Sequence, residues 1–146
     1  MKLTKNHKFQ DRAEIGDLLG GDLQKGIATT NRINAILLFM NEEELYKDYF
    51  YPRGKYDFCM YTGIGKRGNQ DSVENPVYDL NIAVLTHKKR NVSLLLFEKR
   101  EGQYYFVGKY QLIETHQNIQ PDENNEMRRV FVFHLEKISD TFELHG

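Results

Sequence analysis

The run from Ile33 to Met40, apolar except for Asn34, narrows the fold more than any other stretch. Strand side chains alternate between two faces, so a run without polar alternation needs apolar cover on both sides. A membrane crossing would take about 20 such residues, so this run predicts a buried central strand. The chain of 146 residues is long enough for one domain with one sizeable core.

The stretch Tyr56 to Gln70, YDFCMYTGIGKRGNQ, predicts a second strand that ends in a turn. Tyr56, Phe58 and Met60 fall on one face, with Asp57, Cys59 and Tyr61 on the other. Gly63, Gly65 and Gly68 follow, carrying Lys66 and Arg67 between them. Glycine allows positive φ and close backbone approach, so such a turn is either a basic hairpin tip or a cradle for a ligand.

Around these two stretches the patterns are mixed. Residues 1–10 are polar and basic (Lys2, Lys5, His7, Lys8) and read as a partly disordered segment ahead of a single domain over 11–146. Asp11 to Leu19 has the spacing of a short amphipathic helix stopped by Gly20-Gly21. Asp22 to Asn34 reads as a loop. Asn41 begins a plausible helical turn that runs into the aromatic knot Tyr46, Tyr49, Phe50 and Tyr51 before Pro52. Asn75-Pro76 reads as a helix start, with Val77, Leu80, Ala83, Val84 and Leu85 at helical spacing. His87-Lys88-Lys89-Arg90 then places cations at the helix end, suited to its dipole or, alternatively, to phosphate. Val92 to Glu98 and Tyr104 to Tyr110 form a hairpin signal. His116 to Glu126 reads as a polar loop, and Met127 to Leu135 as an alternating strand. Helices and strands in this order predict an α+β domain.

A net charge of −1 means that any contact with nucleic acid must come from a local patch. Nine Tyr and nine Phe suit a β-rich core and equally a base-stacking surface. The lone Cys59, placed mid-strand, reads as core packing in a reducing, cytoplasmic setting, and no signal-peptide or membrane pattern is present. The five histidines (His7, His87, His116, His134, His145) lack the spacing of a zinc or HNH centre. Glu98-Lys99 and Glu136-Lys137 are adjacent pairs that point to opposite strand faces, unlike a Mg²⁺ nuclease motif. Neither a hydrolase elbow nor a P-loop nor a dinucleotide fingerprint occurs, so the sequence calls for no catalytic residue, metal or cofactor.

From about Arg12 to Lys137 the chain resembles the SRA (SET and RING associated) family of modified-cytosine readers, in particular the SRA-like domains of bacterial modification-dependent restriction enzymes. The resemblance is carried by Leu19-Gly20-Gly21 with Lys25-Gly26-Ile27, by Ala35-Ile36-Leu37-Leu38-Phe39, and by Tyr61-Thr62-Gly63-Ile64-Gly65. Gly68-Asn69-Gln70, Leu80-Asn81-Ile82-Ala83, Leu96-Phe97-Glu98, Tyr105 to Tyr110 and Arg128 to Phe133 complete it. The resemblance implies a PUA-like, SRA-like curved β-barrel with a few flanking helices. It also implies double-stranded DNA bearing 5-methylcytosine or 5-hydroxymethylcytosine as partner, read by flipping the base, with cutting left to a nuclease domain or subunit.

Carried over residue by residue, the resemblance makes Tyr61 one stacking face, with Thr62 beside the modification and backbone at Gly63 and Gly65 near the base. The second stacking residue, about a dozen positions earlier, falls on Tyr49, with Tyr51 or Tyr46 as substitutes. The family's base-reading acid has no counterpart at the usual spacing. Asp48 and Asp57 are available, and Asp57 shares a strand face with Tyr61. Asn69, Gln70 and Asn81 match polar positions that would hold the glycine turn by side-chain to backbone bonds. Lys66, Arg67, Arg53 and Lys55 are the phosphate candidates. Two other readings compete with this one. The first is a PUA-like enzyme, or a module binding RNA or a free nucleotide; the second is a protein-interaction domain using the aromatic knot.

Overall fold

The computed structural model describes residues 1–40 and 48–144. The helical turn expected from Asn41, together with Tyr46 and His145, lies outside the described residues. In chain order the elements are β1 (Lys2–Thr4), β2 (Lys8–Phe9), α1 (Arg12–Leu19), β3 (Ile27–Thr29), β4 (Ala35–Met40) and β5 (Tyr49–Tyr51). They continue with β6 (Phe58–Thr62), α2 (Tyr78–Leu85), β7 (Ser93–Arg100), β8 (Gln103–Pro121), β9 (Met127–Ser139) and β10 (Thr141–Glu143).

The apolar run is the central strand its composition requires. β4 pairs antiparallel with β3 and parallel with β7, and its alternate side chains feed two separate cores. Ile36 and Leu38 pack with Cys59, Tyr61, Val84, Leu94, Leu96, Phe133 and Leu135 beneath α2. Ala35, Leu37 and Phe39 pack with Ile15 and Leu19 of α1, and with Leu95, Phe97 and Phe106. A parallel partner cannot follow through a tight turn, so β5, β6 and α2 fill the crossover between β4 and β7.

The main sheet runs β3–β4–β7–β8–β9–β6–β5, with β2 paired to β8. Its curvature is built into β8, which pairs β7 along its first half and β9 along its second, with register shifts at Leu96/Phe97, Lys109/Tyr110 and Leu112/Glu114. Bulges of this kind bend a strand and raise its local twist. The curved sheet stays open, ending on β3 and β5 among the described residues.

Several expectations need correction. Residues 1–10 are part of the fold: β1 pairs β10, and Leu3 and Phe9 are buried in the α1-side core. Leu3 and Phe9 are spaced too far apart to show a period, so only pairing with distant strands reveals them. The loop read over 22–34 contains β3. The polar segment 116–121 is strand, with the turn confined to 122–126, because its ladder is carried by backbone while the side chains of Glu114, His116, Gln117 and Asn118 face water. α2 begins at Tyr78, with Asn75 folding the turn before it: the Asn75 Oδ1 accepts from Val77 N at 3.2 Å.

His87 is also corrected. It does not present a cation at the helix end; it is buried, its Nε2 accepting from Leu112 N at 3.0 Å and its Nδ1 facing Val92 O at 2.8 Å. Those two partners require the neutral ring with its proton on Nδ1. Arg90 instead closes the helix, donating to the carbonyl of Ala83 at 3.1 Å. Burial lowers the His87 pKa; the Val92 carbonyl opposes this, and Lys88 and Arg90 add to the lowering. The folded state therefore favours the neutral ring, whereas the unfolded chain takes up a proton near pH ~6.5. The stabilisation should be complete above that pH and be lost as pH falls below it toward the lower folded-state pKa. Thermal melts from pH 7.5 down to 5 should show a steeper loss for wild type than for His87→Gln; equal slopes would show that the ring is not held neutral.

Candidate nucleic-acid interface

The turn after β6 is a backbone segment buried against β9, and each of its polar groups needs a partner. Gly63 N donates to Phe131 O at 2.8 Å. The Asn81 carboxamide takes both sides of Ile64, accepting from its N and donating to its O at 2.9 Å each. Gln70 donates to Gly63 O at 2.6 Å and accepts from Phe131 N at 2.9 Å. Asn81 and Gln70 are both fully buried. Gly63 has to be glycine here, since a Cβ would lie 2.7 Å from the Gln70 carboxamide oxygen and 2.8 Å from that of Asn81.

The outer part of the turn is held from β9 and from the β8–β9 tip. Arg128, which is buried, donates to Gly65 O at 2.6 Å and Gly68 O at 3.1 Å. Asn69 Oδ1 accepts from Arg129 N, and Arg129 pairs with Asp71 at 2.9 Å, which holds the Asp71 carboxyl below its usual range. At the tip, Glu123 N donates to Lys66 O at 3.1 Å, and its carboxylate pairs with Arg67. Gly65 and Gly68 take φ of 123° and 70°, values that glycine tolerates and most residues do not.

Beside this turn lies a cavity of about 560 Å³. Gln24, Lys25 and Gly26 form one side, and Ile64 to Arg67 the other, with Asn75, Pro76, Val77 and Glu123 completing the wall. The first side is itself fixed: Asp22 caps Gln24 N and Lys25 N at 2.7 and 2.8 Å. Arg12 then donates to the carbonyls of Asp22 and Lys25 at 2.6 and 2.9 Å while its guanidinium lies 3.5 Å over the Phe39 ring. The result is a pocket with aliphatic walls (Ile64, Pro76, Val77) and four charged residues in its lining, Lys25, Lys66, Arg67 and the Glu123 that pairs with Arg67. Its volume is in the range of small-molecule sites, roughly 300–1,000 Å³.

The sequence-derived site residues fall in different places. Tyr61 offers no face to a base in this structure. It is 1 % exposed, and its hydroxyl sits 2.8 and 2.9 Å from the carbonyls of Gly26 and Phe39. Burial raises its pKa far above the ordinary phenol value, so the hydroxyl remains a donor, and its contact with Gly26 ties β6 to the cavity wall. The same strand parity that puts Cys59 into the core puts Tyr61 there.

Thr62 is buried, and its N donates to Asp48 Oδ1 at 2.7 Å. Asp48, rather than Asp57, is thus the carboxylate next to the turn; Asp57 is exposed at the far end of β6. Tyr49 is 54 % exposed on edge strand β5, and Tyr51 stacks on Phe58 with centroids 5.1 Å apart. Arg53 and Lys55 lie in the turn joining β5 to β6, at the opposite end of β6 from Lys66 and Arg67, about 16 Å of strand away. They do not share a patch with the glycine turn.

Sequence reasoning missed Gln24, Lys25, Asn75, Val77 and Arg128 as parts of this site. Lys25-Gly26 and Arg128-Arg129 were visible as motif segments, but nothing local tells which residues wall a cavity made from four separate stretches.

The model of the ScoMcrA-like SRA domain family matches residues 5–144. This chain belongs to that family. Among solved structures, the type IV phosphorothioation-dependent restriction endonuclease ScoMcrA superposes on this SRA domain with TM-score 0.73 and 21 % identity, covering 92 % of this chain and 28 % of that one. The SRA domain of SUVH5 in complex with hemi-methylated CG DNA gives 0.66 and 19 %, covering 99 % and 94 %. The DNA modification-dependent restriction endonuclease AspBHI gives 0.65 and 14 %, covering 95 % and 75 %. At these identities the likeness establishes the SRA fold. This chain spans under a third of the length of ScoMcrA. No curated protein matches it in sequence. Among the described residues no helix is long and apolar enough to cross a membrane.

The buried carboxamides give a direct test of this construction. Asn81→Leu keeps the side-chain volume but strands the N–H and C=O of Ile64, and should cost about 2–4 kcal/mol in urea unfolding. Tyr61→Phe, which removes one hydroxyl between two carbonyls, should cost about 1–2 kcal/mol. A neutral result for Asn81→Leu would mean that the turn is not held as described.

Proposed function

We propose that this SRA domain reads modified cytosine in duplex DNA by flipping the nucleotide into the cavity beside the glycine turn. In this reading it serves as the recognition module of a cytoplasmic, modification-dependent restriction system, with cleavage supplied by a nuclease domain or subunit. The observation that supports it is the cavity itself: a space of about 560 Å³, ample for a flipped nucleotide, with aliphatic walls and with Lys25, Lys66 and Arg67 in its lining. The complexes of SUVH5 SRA with methylated DNA, and of the sulfur-binding and SRA domains of ScoMcrA with phosphorothioated DNA, are consistent with the partner class.

The energetics are compatible with this use. Rotating a nucleotide out of a duplex costs a few kcal/mol. Burying roughly 100 Å² of pyrimidine surface against Ile64, Pro76 and Val77 returns about 2.5 kcal/mol. Phosphate contacts at Lys25, Lys66 and Arg67 add a salt-dependent contribution. Tyr61 acts as the pillar behind Gly26, and Tyr49 remains the exposed ring on the neighbouring strand. Asp48, bonded to Thr62 N, braces the end of β6 outside the cavity lining, and Glu123, held by Arg67, is the carboxylate within that lining.

One modifying methyl group is worth about 1–3 kcal/mol in such a pocket, so discrimination should be roughly ten- to two-hundred-fold. Gel shifts with duplexes carrying cytosine, 5-methylcytosine, 5-hydroxymethylcytosine or glucosylated cytosine measure it directly. Pro76→Trp, which puts an indole on the cavity wall from an exposed position, should abolish the preference while leaving the fold intact by circular dichroism. Lys66→Ala with Arg67→Ala should weaken all duplexes alike and lower the salt slope by about 2. Equal binding of modified and plain duplexes by wild type would refute the reading, and preference for RNA or a free nucleotide would favour the alternative assignment.

A further inference from the structure

Across the outer face of the sheet, on the side away from the α2 core, β8 and β9 bring two histidines together. His134 Nε2 and His116 Nδ1 are 2.9 Å apart, with the rings edge-on at a centroid distance of 4.8 Å. His116 is exposed and His134 half-buried, so water and ions reach the pair. Directly opposite His134 in register stand Glu114 on β8 and Met60 on β6, which places a carboxylate and a thioether on the same face.

Two imidazole nitrogens at this separation cannot both present lone pairs to each other unless a cation lies between them. In the neutral pair the question does not arise, because one ring carries the inner N–H and donates it to the lone pair of the other. Each ring also has the other neutral tautomer, with its proton on the outward nitrogen, which leaves both inner nitrogens as donors to a metal. The separation, that of the hydrogen bond itself, also lies close to the bite of a right-angle chelate. Bonds of about 2.05 Å at a right angle put the two nitrogens about 2.9 Å apart, whereas tetrahedral angles need about 3.3 Å. Right-angle N,O sets are the preference of Cu(II) and Ni(II), and Cu(II) heads the affinity order for divalent first-row ions.

We infer that His116 and His134 form a two-imidazole site for a tetragonal divalent transition metal, Cu(II) foremost, with water in the remaining positions. The metal would clamp β8 to β9 midway along the long hairpin that carries Glu123 and Arg128 to the glycine turn. It stands apart from the cavity and does not depend on the DNA-reading proposal. Glu114 contributes negative charge across from His134, favouring a cation at this spot.

Titrating the full chain with Cu(II) in a non-coordinating buffer, read by electron paramagnetic resonance and by thermal melts, tests the assignment. One equivalent should give a signal with hyperfine splitting from two imidazole nitrogens and should raise Tm. His116→Gln and His134→Gln, each checked for folding by circular dichroism, should each weaken binding at least ~10-fold and cancel the Tm rise. His7→Gln should change neither. A single-nitrogen signal, no binding by wild type, or binding that survives both substitutions would overturn the site.

Discussion

Two buried carboxamides set the shape of the glycine turn and of the cavity wall it forms. The segment Gly63–Gly65 leaves strand β6 while still packed against β9; Gly63 N keeps a last bond to Phe131 O, but Gly63 O and the N and O of Ile64 have no backbone partner. Asn81, from a helix, and Gln70, from the loop after the turn, supply the missing partners. Each buried group left alone would cost about 1–3 kcal/mol, so the turn keeps its shape because both side chains are in place. The requirement runs in both directions, since the carboxamides come so close that residue 63 has no room for a Cβ.

The other wall of the cavity is tied to the core by a different device. Arg12 leaves α1, lies flat over Phe39 of the central strand, and holds the carbonyls of Asp22 and Lys25. From the opposite core, the Tyr61 hydroxyl reaches the carbonyl of Gly26. One loop is thus anchored to both hydrophobic layers, and the gap between it and the glycine turn is fixed by packing on either side of β4. Preorganisation of this kind spares a ligand the cost of ordering its own pocket.

Much of the frame was legible in the sequence because it follows local rules. The apolar run through Ala35–Met40, the amphipathic spacing of Asp11–Leu19 and the hairpin signal of Val92–Glu98 and Tyr104–Tyr110 all announce themselves within a few residues; the structure adds the Asp11 cap and tightens the hairpin turn to Glu101-Gly102. The segments that were misread share one physical trait. β1, β2, β3 and the polar half of β8 are strands because a distant partner pairs with their backbone, and their side chains carry little of that information. Likewise His87 resembles a helix-terminal cation in sequence, yet Leu112, 25 residues on, donates to its ring and makes it a buried neutral group.

The sequence by itself determined the family, an α+β domain with a curved sheet, and the glycine turn with its amide supports, because motif order and alternation are properties of the chain. Tertiary structure alone decided which way Tyr61 points, which aspartate meets Thr62, which loops enclose the cavity and that His116 meets His134. Those outcomes depend on strand register and bulges, and a shift of one residue in register sends a side chain to the opposite face of the sheet.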